Sequence, residues 1–397
     1  MPQISRRGME MPSSPIRKLA SLADEAKRQG VKVYHLNIGQ PDLPTPQKGL
    51  DALQNINRTT LEYSPSEGVL PLREKLVGYY AKFGITGLSP ENIIITSGGS
   101  EAILFAFLAC MNPGDEMIMM EPGYANYISF AVTAGIKVTT VTSTIDDGFR
   151  LPPMEAFEQA ITPRTRAILL CNPNNPTGYV YSPAELQKLK ELVVKYDLYL
   201  IADEVYREFV YTDEPYLSAM SLDIPENVIL VDSVSKRYSE CGIRVGMLVT
   251  HNRLVHDTVM KYCQARLSPP LLGQIVADAS IEGTEEYALE SYREYKERRD
   301  FFIKGLNSIP GVYSPMPHGA FYTVASLPVA DAEDFCRWCL RDFRMDGETV
   351  MMAPAAGFYR NPDLGRNQVR LAYVLKKEDL QRALMLIRGA LKAYNRR

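Results

Sequence analysis

A lysine stands between an apolar run and an arginine in residues 231 to 246, VDSVSKRYSECGIRVG. The side-chain amine of Lys236 is a nucleophile when it has lost its proton, and such amines form Schiff bases with aldehydes. Arg244, eight residues later, carries a guanidinium group of the kind that binds phosphate. Ser233 precedes the lysine by three residues and can bind the same anion. An ordinary polar loop would also explain this stretch, so its interpretation depends on the rest of the chain.

A carboxylate ends another apolar run, in residues 198 to 206, LYLIADEVY. Burying Asp203 at the end of a strand costs free energy unless a cation or a hydrogen-bond donor compensates its charge. The residue could begin a helix as its N-cap. It could instead keep a heterocyclic ring nitrogen protonated, which turns the ring into an electron sink. The sequence leaves both interpretations of Asp203 open.

The segment at 172 to 178, NPNNPTG, directly follows a further apolar run. Its prolines and its glycine restrict the backbone, and its asparagines supply amide groups. We therefore expect a rigid polar loop at the carboxyl end of a strand, which is the edge where open α/β sheets bind their ligands. Asn175 could present its amide to an oxygen on a ring.

Two glycines mark residues 96 to 102, TSGGSEA, between the run IIIT and an apolar helical segment. The backbone N–H groups of Gly99 and Ser100 would be free at the helix N-terminus, where the helix dipole favours a phosphate. A plain N-cap by Ser97 or Ser100 is the other explanation. The segment lacks the lysine and the spacing of a Walker loop.

A sheet must position these segments. Short apolar runs rich in β-branched residues alternate with helical or loop segments, which indicates a mainly parallel sheet covered by helices on both faces. Because the carboxyl ends of parallel strands share one edge, the polar residues that follow the strands are expected to meet there. The runs lie at 116–120, 137–141, 166–171, 198–203, 227–232 and 244–250.

The length of 397 residues predicts two domains. We expect a large α/β domain at 46–285, which includes a helix capped by Ser66. Residues 1–45 and 286–397 are expected to form a smaller α+β domain. Its short strands are predicted near 312, 320–324, 350 and 368–373.

Composition argues against several classes of function. The formal net charge is -3, the pI is about 6.0 and like charges do not cluster, so neither nucleic acid nor an anionic membrane is an expected partner. The apolar stretch at 102–111 is about half the roughly 20 residues that span a bilayer. No apolar signal region follows Arg6 and Arg7, so we expect a cytoplasmic protein. Cys336 and Cys339 lack a second pair, so no metal site is expected.

Taken together, these segments resemble the class I/II (aspartate aminotransferase) superfamily of fold type I enzymes that depend on pyridoxal phosphate. The resemblance rests on NPNNPTG, on ADEVY and on SxSK followed by RxG, and it covers nearly the whole chain in the family's order. It implies a seven-stranded type of α/β sheet and pyridoxal 5'-phosphate as the cofactor. It also implies transfer of an amino group from an L-amino acid to a 2-oxo acid, by a ping-pong mechanism through pyridoxamine phosphate.

The resemblance assigns roles to individual residues. Lys236 would hold the cofactor as a Schiff base and later move the proton at the substrate Cα, while Asp203 would pair with the ring nitrogen. Asn175 and Tyr206 would bind the ring oxygen, and Tyr124, in EPGYANY, would stack on the ring. The phosphate ligands would be Gly99, Ser100, Ser233, Arg244 and, from the second subunit of a homodimer, Tyr63.

The substrate α-carboxylate would be bound by Arg370, in NQVRLAYV, whose planar fork can donate two parallel hydrogen bonds. Without the resemblance, strand alternation would place Arg370 on the solvent face of an edge strand. Ile38 and Gly39, in NIGQPD, would line the substrate pocket. No residue stands out for a second carboxylate: Ser100 occupies a place where some relatives have a lysine, and Arg266, in QARLSPP, is a candidate.

Aspartate and 2-oxoglutarate are the expected substrate pair, ahead of alanine, aromatic or broad specificity. The same fold and cofactor also serve C–S lyases and β-decarboxylases, and these alternatives stay open. A cofactor-binding transcriptional regulator is disfavoured, because the residues ahead of the large domain are too few for a DNA-binding module and the charge is acidic.

Overall fold

The computed structural model describes residues 2–397. Its strands share short lengths and apolar composition. In chain order they are β1 (Lys32–His35), β2 (Ile93–Thr96), β3 (Glu116–Glu121), β4 (Lys137–Thr142), β5 (Thr165–Cys171), β6 (Tyr199–Asp203), β7 (Val228–Ser233), β8 (Gly246–Val249), β9 (Tyr322–Ser326), β10 (Glu348–Met351), β11 (Ala353–Pro354) and β12 (Gln368–Ala372).

Most of the helices connect these strands. They are α1 (Arg6–Glu10), α2 (Ala20–Arg28), α3 (Gln47–Gln54), α4 (Leu70–Ala81), α5 (Gly99–Cys110), α6 (Asn126–Ala134), α7 (Met154–Ala160), α8 (Pro183–Tyr196), α9 (Val234–Arg237), α10 (Arg253–Arg266), α11 (Leu271–Ile281), α12 (Glu285–Asn307), α13 (Ala332–Arg341) and α14 (Lys377–Tyr394).

The central sheet has seven strands in the order β2-β8-β7-β6-β5-β3-β4. Its pairings from β4 to β7 are parallel, whereas β8 runs antiparallel to both β7 and β2. The strands β2, β3, β7 and β8 are buried along their whole length, because helices cover both faces of the sheet. The predicted α/β class with a mainly parallel seven-stranded sheet is confirmed.

The register of this sheet brings its chemically important segments to one edge. Cys171 at the end of β5 pairs with Asp203 at the end of β6, and Asp203 pairs in turn with Val231 in β7. The loops that follow these three strands therefore begin at nearly the same height. This alignment explains why segments far apart in sequence share one site.

Two smaller sheets use the terminal parts of the chain. Strand β1 pairs in parallel with β10, so that Tyr34 lies opposite Val350, and β9, β11 and β12 form an antiparallel sheet. A hydrophobic core joins α2, α12, α13 and α14 to these strands. The strand predicted near 312 is reduced to an isolated bridge between Tyr313 and Ser326.

The predicted N-cap at Ser66 is wrong. Helix α4 begins at Leu70, its N-cap position is Val69, and no side chain caps it. Gly68, with φ +99°, turns the chain just before the helix, and the Ser66 hydroxyl donates to the carbonyl of Leu267 at 2.7 Å instead. Within residues 2–397, no helix combines the length and apolarity needed to cross a bilayer.

Candidate active site

A cavity of about 590 Å³ opens at the carboxyl edge of the central sheet. It is bordered by the ends of β5, β6 and β7, the start of α5 and the N-terminal segment. The sequence-predicted residues that line it are Ile38, Gly39, Gly99, Ser100, Tyr124, Asn175, Asp203, Tyr206, Ser233, Lys236, Arg244 and Arg370. The structure thus brings the predicted site residues together, apart from Tyr63 and the candidate Arg266.

Lys236 enters the cavity from the short helix α9. Ser233 is the N-cap of this helix and accepts a hydrogen bond from the backbone N–H of Ser235, which fixes the turn after β7. The amine of Lys236 donates to the carbonyl of Gly39 at 3.0 Å and lies 3.8 Å from the Sγ of Cys241. The side chain is therefore held across the cavity by contacts that a ligand could replace.

Asp203 lies on the floor of the cavity without a cationic partner among the described residues. Its carboxylate accepts a hydrogen bond of 2.6 Å from the Tyr127 hydroxyl and a longer one, 3.4 Å, from the backbone N–H of Val205. Burial raises the pKa of Asp203 to about 6, although these hydrogen bonds act in the opposite direction. An unpaired carboxylate in this position can stabilise a protonated ring nitrogen.

The other end of the cavity is suited to a phosphate. Helix α5 begins at Gly99, and Gly98 before it has φ +80°, a conformation that favours glycine. The guanidinium of Arg244 lies directly over this turn, since a Cβ built on Gly98 would come within 2.3 Å of it. Gly246 approaches equally closely, because its Cβ would meet the backbone of Gly98 and Gly99. Free N–H groups, a helix N-terminus and an arginine thus converge.

Polar and aromatic side chains lie between these two ends of the cavity. Asn175 is buried with its amide near Arg370, and the hydroxyl of Tyr206 is 3.1 Å from that of Tyr322. Burial raises the pKa of Tyr206 well above its usual range, so this hydroxyl remains a hydrogen-bond donor. Tyr124 is half-buried at the cavity wall, edge-on to the ring of Tyr127.

Arg370 is 1% exposed, so the interpretation that it faces solvent is wrong. The aromatic rings of Tyr322 and Phe358 lie 4.8 and 5.0 Å from its guanidinium and cover it. It donates to the side-chain oxygen of Asn175 at 3.2 Å and to the carbonyl of Asn37, and its Nε has no partner among the described residues. Burial lowers the pKa of this guanidinium. A carboxylate ligand would supply the missing opposite charge.

A buried ionic network lies behind the site. Its members are Glu204, Arg207, Asp232 and Arg237, whose side chains are at most 2% exposed. Each one directly follows or precedes a cavity residue in sequence, so the network packs on the opposite side of the same three segments. Two carboxylates and two guanidinium groups balance in charge, and Asp232 accepts hydrogen bonds from both arginines and from Tyr80. The network ties the ends of β6 and β7 to α9.

Several cavity residues were not predicted from the sequence. Tyr127 carries the hydrogen bond to Asp203, and Tyr322 contacts both Tyr206 and the carbonyl of Gly39. Each lies in a stretch rich in aromatic residues, where no spacing distinguishes it from a core tyrosine. Arg17 lines the cavity from the N-terminal segment, and a single arginine there gives no signal in the sequence.

Two predicted residues lie outside the cavity. Arg266 donates to the carboxylate of Glu101 at 3.0 Å and to the carbonyl of Ser66 at 2.8 Å, so the structure does not bring it to a substrate. Tyr63 is 75% exposed on the protein surface.

The fold and the cavity point to a class of protein: an α/β enzyme whose site suits a phosphorylated, ring-bearing aldehyde. The chain belongs to the aminotransferase class I and II family, whose family model matches residues 31–387. It is 30% identical to the aspartate aminotransferase of Pyrococcus horikoshii, over 98% of this chain and 97% of the relative. It is also 30% identical to the aspartate/prephenate aminotransferase of Thermus thermophilus, over 96% and 97% of the two chains.

Solved structures agree with this assignment. A single mutant of the Thermus thermophilus aspartate aminotransferase matches 98% of this chain and 100% of its own, with a TM-score of 0.89 and 29% identity. An alanine aminotransferase from Pyrococcus furiosus matches with the same coverage, a TM-score of 0.90 and 28% identity. The protein is an aminotransferase that uses pyridoxal phosphate.

The residues present suit this cofactor. The glycine turn leaves room for a phosphate where a Cβ would collide with Arg244. The buried carboxylate of Asp203 has no cationic partner within residues 2–397, so it is free to pair with a protonated pyridine nitrogen. The buried guanidinium of Arg370 keeps an unsatisfied N–H for a substrate carboxylate.

Proposed function

We propose that this aminotransferase takes the amino group of aspartate and transfers it to 2-oxoglutarate, with Lys236 as the residue that binds the cofactor. One observation carries the assignment of the site: the amine of Lys236, the carboxylate of Asp203 and the guanidinium of Arg370 line one cavity. Transamination needs three groups from the protein: a nucleophile, an anion that keeps the ring nitrogen protonated, and a cation that anchors the substrate carboxylate.

Pyridoxal phosphate, when bound, supplies an aldehyde that condenses with amines and a ring that withdraws electrons from the substrate Cα. Lys236 would hold this aldehyde through its amine, and the same amine would move the proton at the substrate Cα. The turn that Ser233 caps positions Lys236 for both roles.

Asp203 keeps the ring nitrogen protonated, and Tyr127 orients its carboxylate through the 2.6 Å hydrogen bond. Asn175 and Tyr206 would hold the ring oxygen of the cofactor, and Tyr124 would hold its ring. Gly99, Ser100, Ser233 and Arg244 would hold its phosphate.

Arg370 binds the substrate α-carboxylate through its guanidinium fork. The contacts with Asn175 and Asn37 fix the plane of this group before the substrate arrives. Ile38 and Gly39 line the substrate side of the cavity. The Arg370 side chain is buried and its guanidinium plane is fixed. The guanidinium therefore orients the substrate carboxylate as well as attracting it.

The choice of aspartate is supported by the names of the relatives from Pyrococcus horikoshii and Thermus thermophilus. Alanine is the second candidate donor, because an alanine aminotransferase superposes with a TM-score of 0.90.

The half-reaction tests this proposal directly. Purified protein with bound cofactor is mixed separately with aspartate, glutamate, alanine and tyrosine, and the visible absorption is followed. We expect aspartate and glutamate to convert the spectrum to that of pyridoxamine phosphate fastest, with conversion reversed by 2-oxoglutarate. Conversion by alanine alone would reassign the donor. A spectrum that no donor changes, with release of CO2 from aspartate or of pyruvate and ammonia from added cystathionine, would indicate a β-decarboxylase or a C–S lyase.

We further propose a homodimer in which Tyr63 reaches the phosphate of the neighbouring subunit. Tyr63 and the nearby Leu61 are both exposed. Their segment is attached to the loop before α11 by hydrogen bonds of Ser64 and Ser66. Exposed leucines of α3 and α11 continue this surface, and these two helices pack together. Such a patch is typical of an interface.

The two-domain division at 46–285, with 1–45 and 286–397 as the smaller unit, also stays a proposal. The parallel pairing of β1 with β10 supports it, because it attaches the N-terminal segment to the C-terminal part.

A further inference from the structure

The cavity contains more positive charge than the proposed chemistry uses. Its lining has four permanently or potentially cationic side chains, Arg17, Lys236, Arg244 and Arg370, against one carboxylate, Asp203. In the proposed function, Arg244 binds the phosphate, Arg370 binds the α-carboxylate and Lys236 binds the aldehyde. The proposed function assigns no role to Arg17.

Arg17 lies on the substrate side of the cavity. It follows Ile16, whose carbonyl accepts a hydrogen bond of 3.0 Å from the side chain of Asn37. The carbonyl of the same Asn37 accepts a hydrogen bond from Arg370. One residue therefore anchors both the segment that carries Arg17 and the arginine that binds the α-carboxylate.

The electrostatics agree with this placement. The positive charges of Arg370 and Arg17 both act to lower the pKa of the Tyr124 hydroxyl, although burial, the largest effect, raises this pKa to about 12. The Tyr124 hydroxyl therefore interacts electrostatically with both guanidinium groups.

The guanidinium of Arg17 has no hydrogen-bond acceptor or carboxylate partner in the described part of the chain, residues 2–397. Arg266, by contrast, is held by Glu101. Arg17 is also exposed, so binding of an anion there would break no contact within the protein. A cation in this state is available to a ligand.

We propose that Arg17 determines substrate specificity by binding the side-chain carboxylate of a dicarboxylic amino acid or 2-oxo acid. Arg370 and Arg17 then hold the two ends of the substrate, and the planar fork of each arginine binds one carboxylate. The inference rests on the proposed function and names the chemical class of its substrate. A monocarboxylate such as alanine leaves Arg17 unused.

The test compares Arg17→Met with wild type and with Arg28→Met as a matched control. Arg28 is an exposed arginine of α2 whose carboxylate partner, Glu25, lies on the same helix, and it does not line the cavity. Two quantities are measured on the enzyme with bound cofactor. They are kcat/KM of the half-reaction with aspartate and with alanine, and the Kd of succinate and of propionate by calorimetry.

We expect Arg17→Met to lower kcat/KM for aspartate and to weaken succinate binding by about 10- to 100-fold, the value of a charge-assisted contact. Alanine turnover and propionate binding should stay within about twofold of wild type. Arg28→Met should match wild type for all four ligands. Arg17→Lys should recover part of the loss, because it keeps the charge without the fork.

An equal loss for aspartate and alanine in Arg17→Met, or no loss for aspartate, overturns the assignment of Arg17 while the aminotransferase site stands. A wild-type enzyme that binds succinate no better than propionate does the same. If the wild type transaminates none of the donors, the proposed function fails, and the role of Arg17 fails with it.

Discussion

At the scale of single residues, the site is distinguished by charges that the protein buries and does not neutralise. Among residues 2–397, Asp203 has no cationic partner and Arg370 has no carboxylate partner. An unpaired buried charge costs several kcal/mol. Natural proteins rarely keep such groups unless a ligand completes them, so this cost indicates a site prepared for a cofactor and a substrate.

The pKa of Asp203 gives a prediction for the protein without its cofactor. The folded pKa, about 6, lies above the unfolded value of 3.8. The protonated carboxyl therefore favours folding below pH 3.8, and this contribution is lost as the pH rises through 6. Asp203→Asn has no carboxyl group to ionise, so it does not lose this contribution. Its free energy of unfolding should therefore rise relative to that of wild type between pH 4.5 and 7.5, by up to about 3 kcal/mol.

Urea unfolding of both cofactor-free proteins at several pH values measures this difference. Asp24→Asn serves as the control, because the Asp24 side chain is 65% exposed and does not line the cavity. A constant difference for Asp203→Asn would mean that Asp203 titrates normally and is not held in a dry site.

The sequence predicted most of the residues that the structure brings into the cavity, because their types and spacings are unusual for loops. Asp203 ends an apolar strand, and Lys236 and Asn175 follow shortly after the ends of two others, so the sheet register brings them together. The burial of Arg370 was not predictable from strand alternation, since Phe358 and Tyr322 that cover it come from other elements. Tyr127 was missed for the same reason, as its partner is 76 residues away.

At the scale of elements, the close packing of β8 against the start of α5 shapes the phosphate end. A Cβ on Gly246 would lie 2.3 Å from the carbonyl carbon of Gly98 and 2.5 Å from the nitrogen of Gly99. Both neighbours are backbone atoms, which cannot rotate away. The antiparallel strand β8 thus sets where the helix N-terminus lies.

Gly246→Ala should push this turn outward. We expect a loss of about 1–3 kcal/mol in unfolding free energy from overpacking, together with weaker cofactor binding, measured as Kd by fluorescence titration. Gly78→Ala is the control: Gly78 lies in α4 with nothing within 4 Å of its Cβ position. That substitution should stabilise the protein by about 0.5–1 kcal/mol and leave the Kd unchanged. Unchanged cofactor binding in Gly246→Ala would separate β8 from the phosphate site.

Element boundaries were predicted less well than element types. The apolar runs located the six strands from β3 to β8 within a few residues, because buried parallel strands are continuous apolar segments. The start of α4 was misplaced, since the turn at Gly68 and the contact of Ser66 with Leu267 depend on tertiary structure. A serine before a helical pattern predicts a cap only where the chain has no stronger local constraint.

At the scale of the whole molecule, the exposed apolar surface around Leu61 and Tyr63 predicts association. Sedimentation should show a particle of two 44.6 kDa chains. Leu61→Glu places a charge in this surface, since Leu61 is 60% exposed, and should shift the equilibrium towards the monomer and weaken cofactor binding together. Both effects follow if the second subunit completes the phosphate site.

Leu254→Glu is the matched control. Leu254 is 81% exposed near the start of α10, about 18 Å along the helix from Arg266. This variant should remain a dimer with normal cofactor affinity. A wild-type monomer with full cofactor affinity would rule out a shared site.

The central claim is that Lys236 is the residue to which the cofactor binds covalently. The most direct measurement is borohydride reduction of the protein with bound pyridoxal phosphate, which makes the bond permanent, followed by peptide mass spectrometry. We expect a phosphopyridoxyl group on the peptide that contains Lys236. We expect none in a reduced sample that was pretreated with an excess of aspartate. A label on another lysine, or no label with the cofactor fully bound, would contradict this claim.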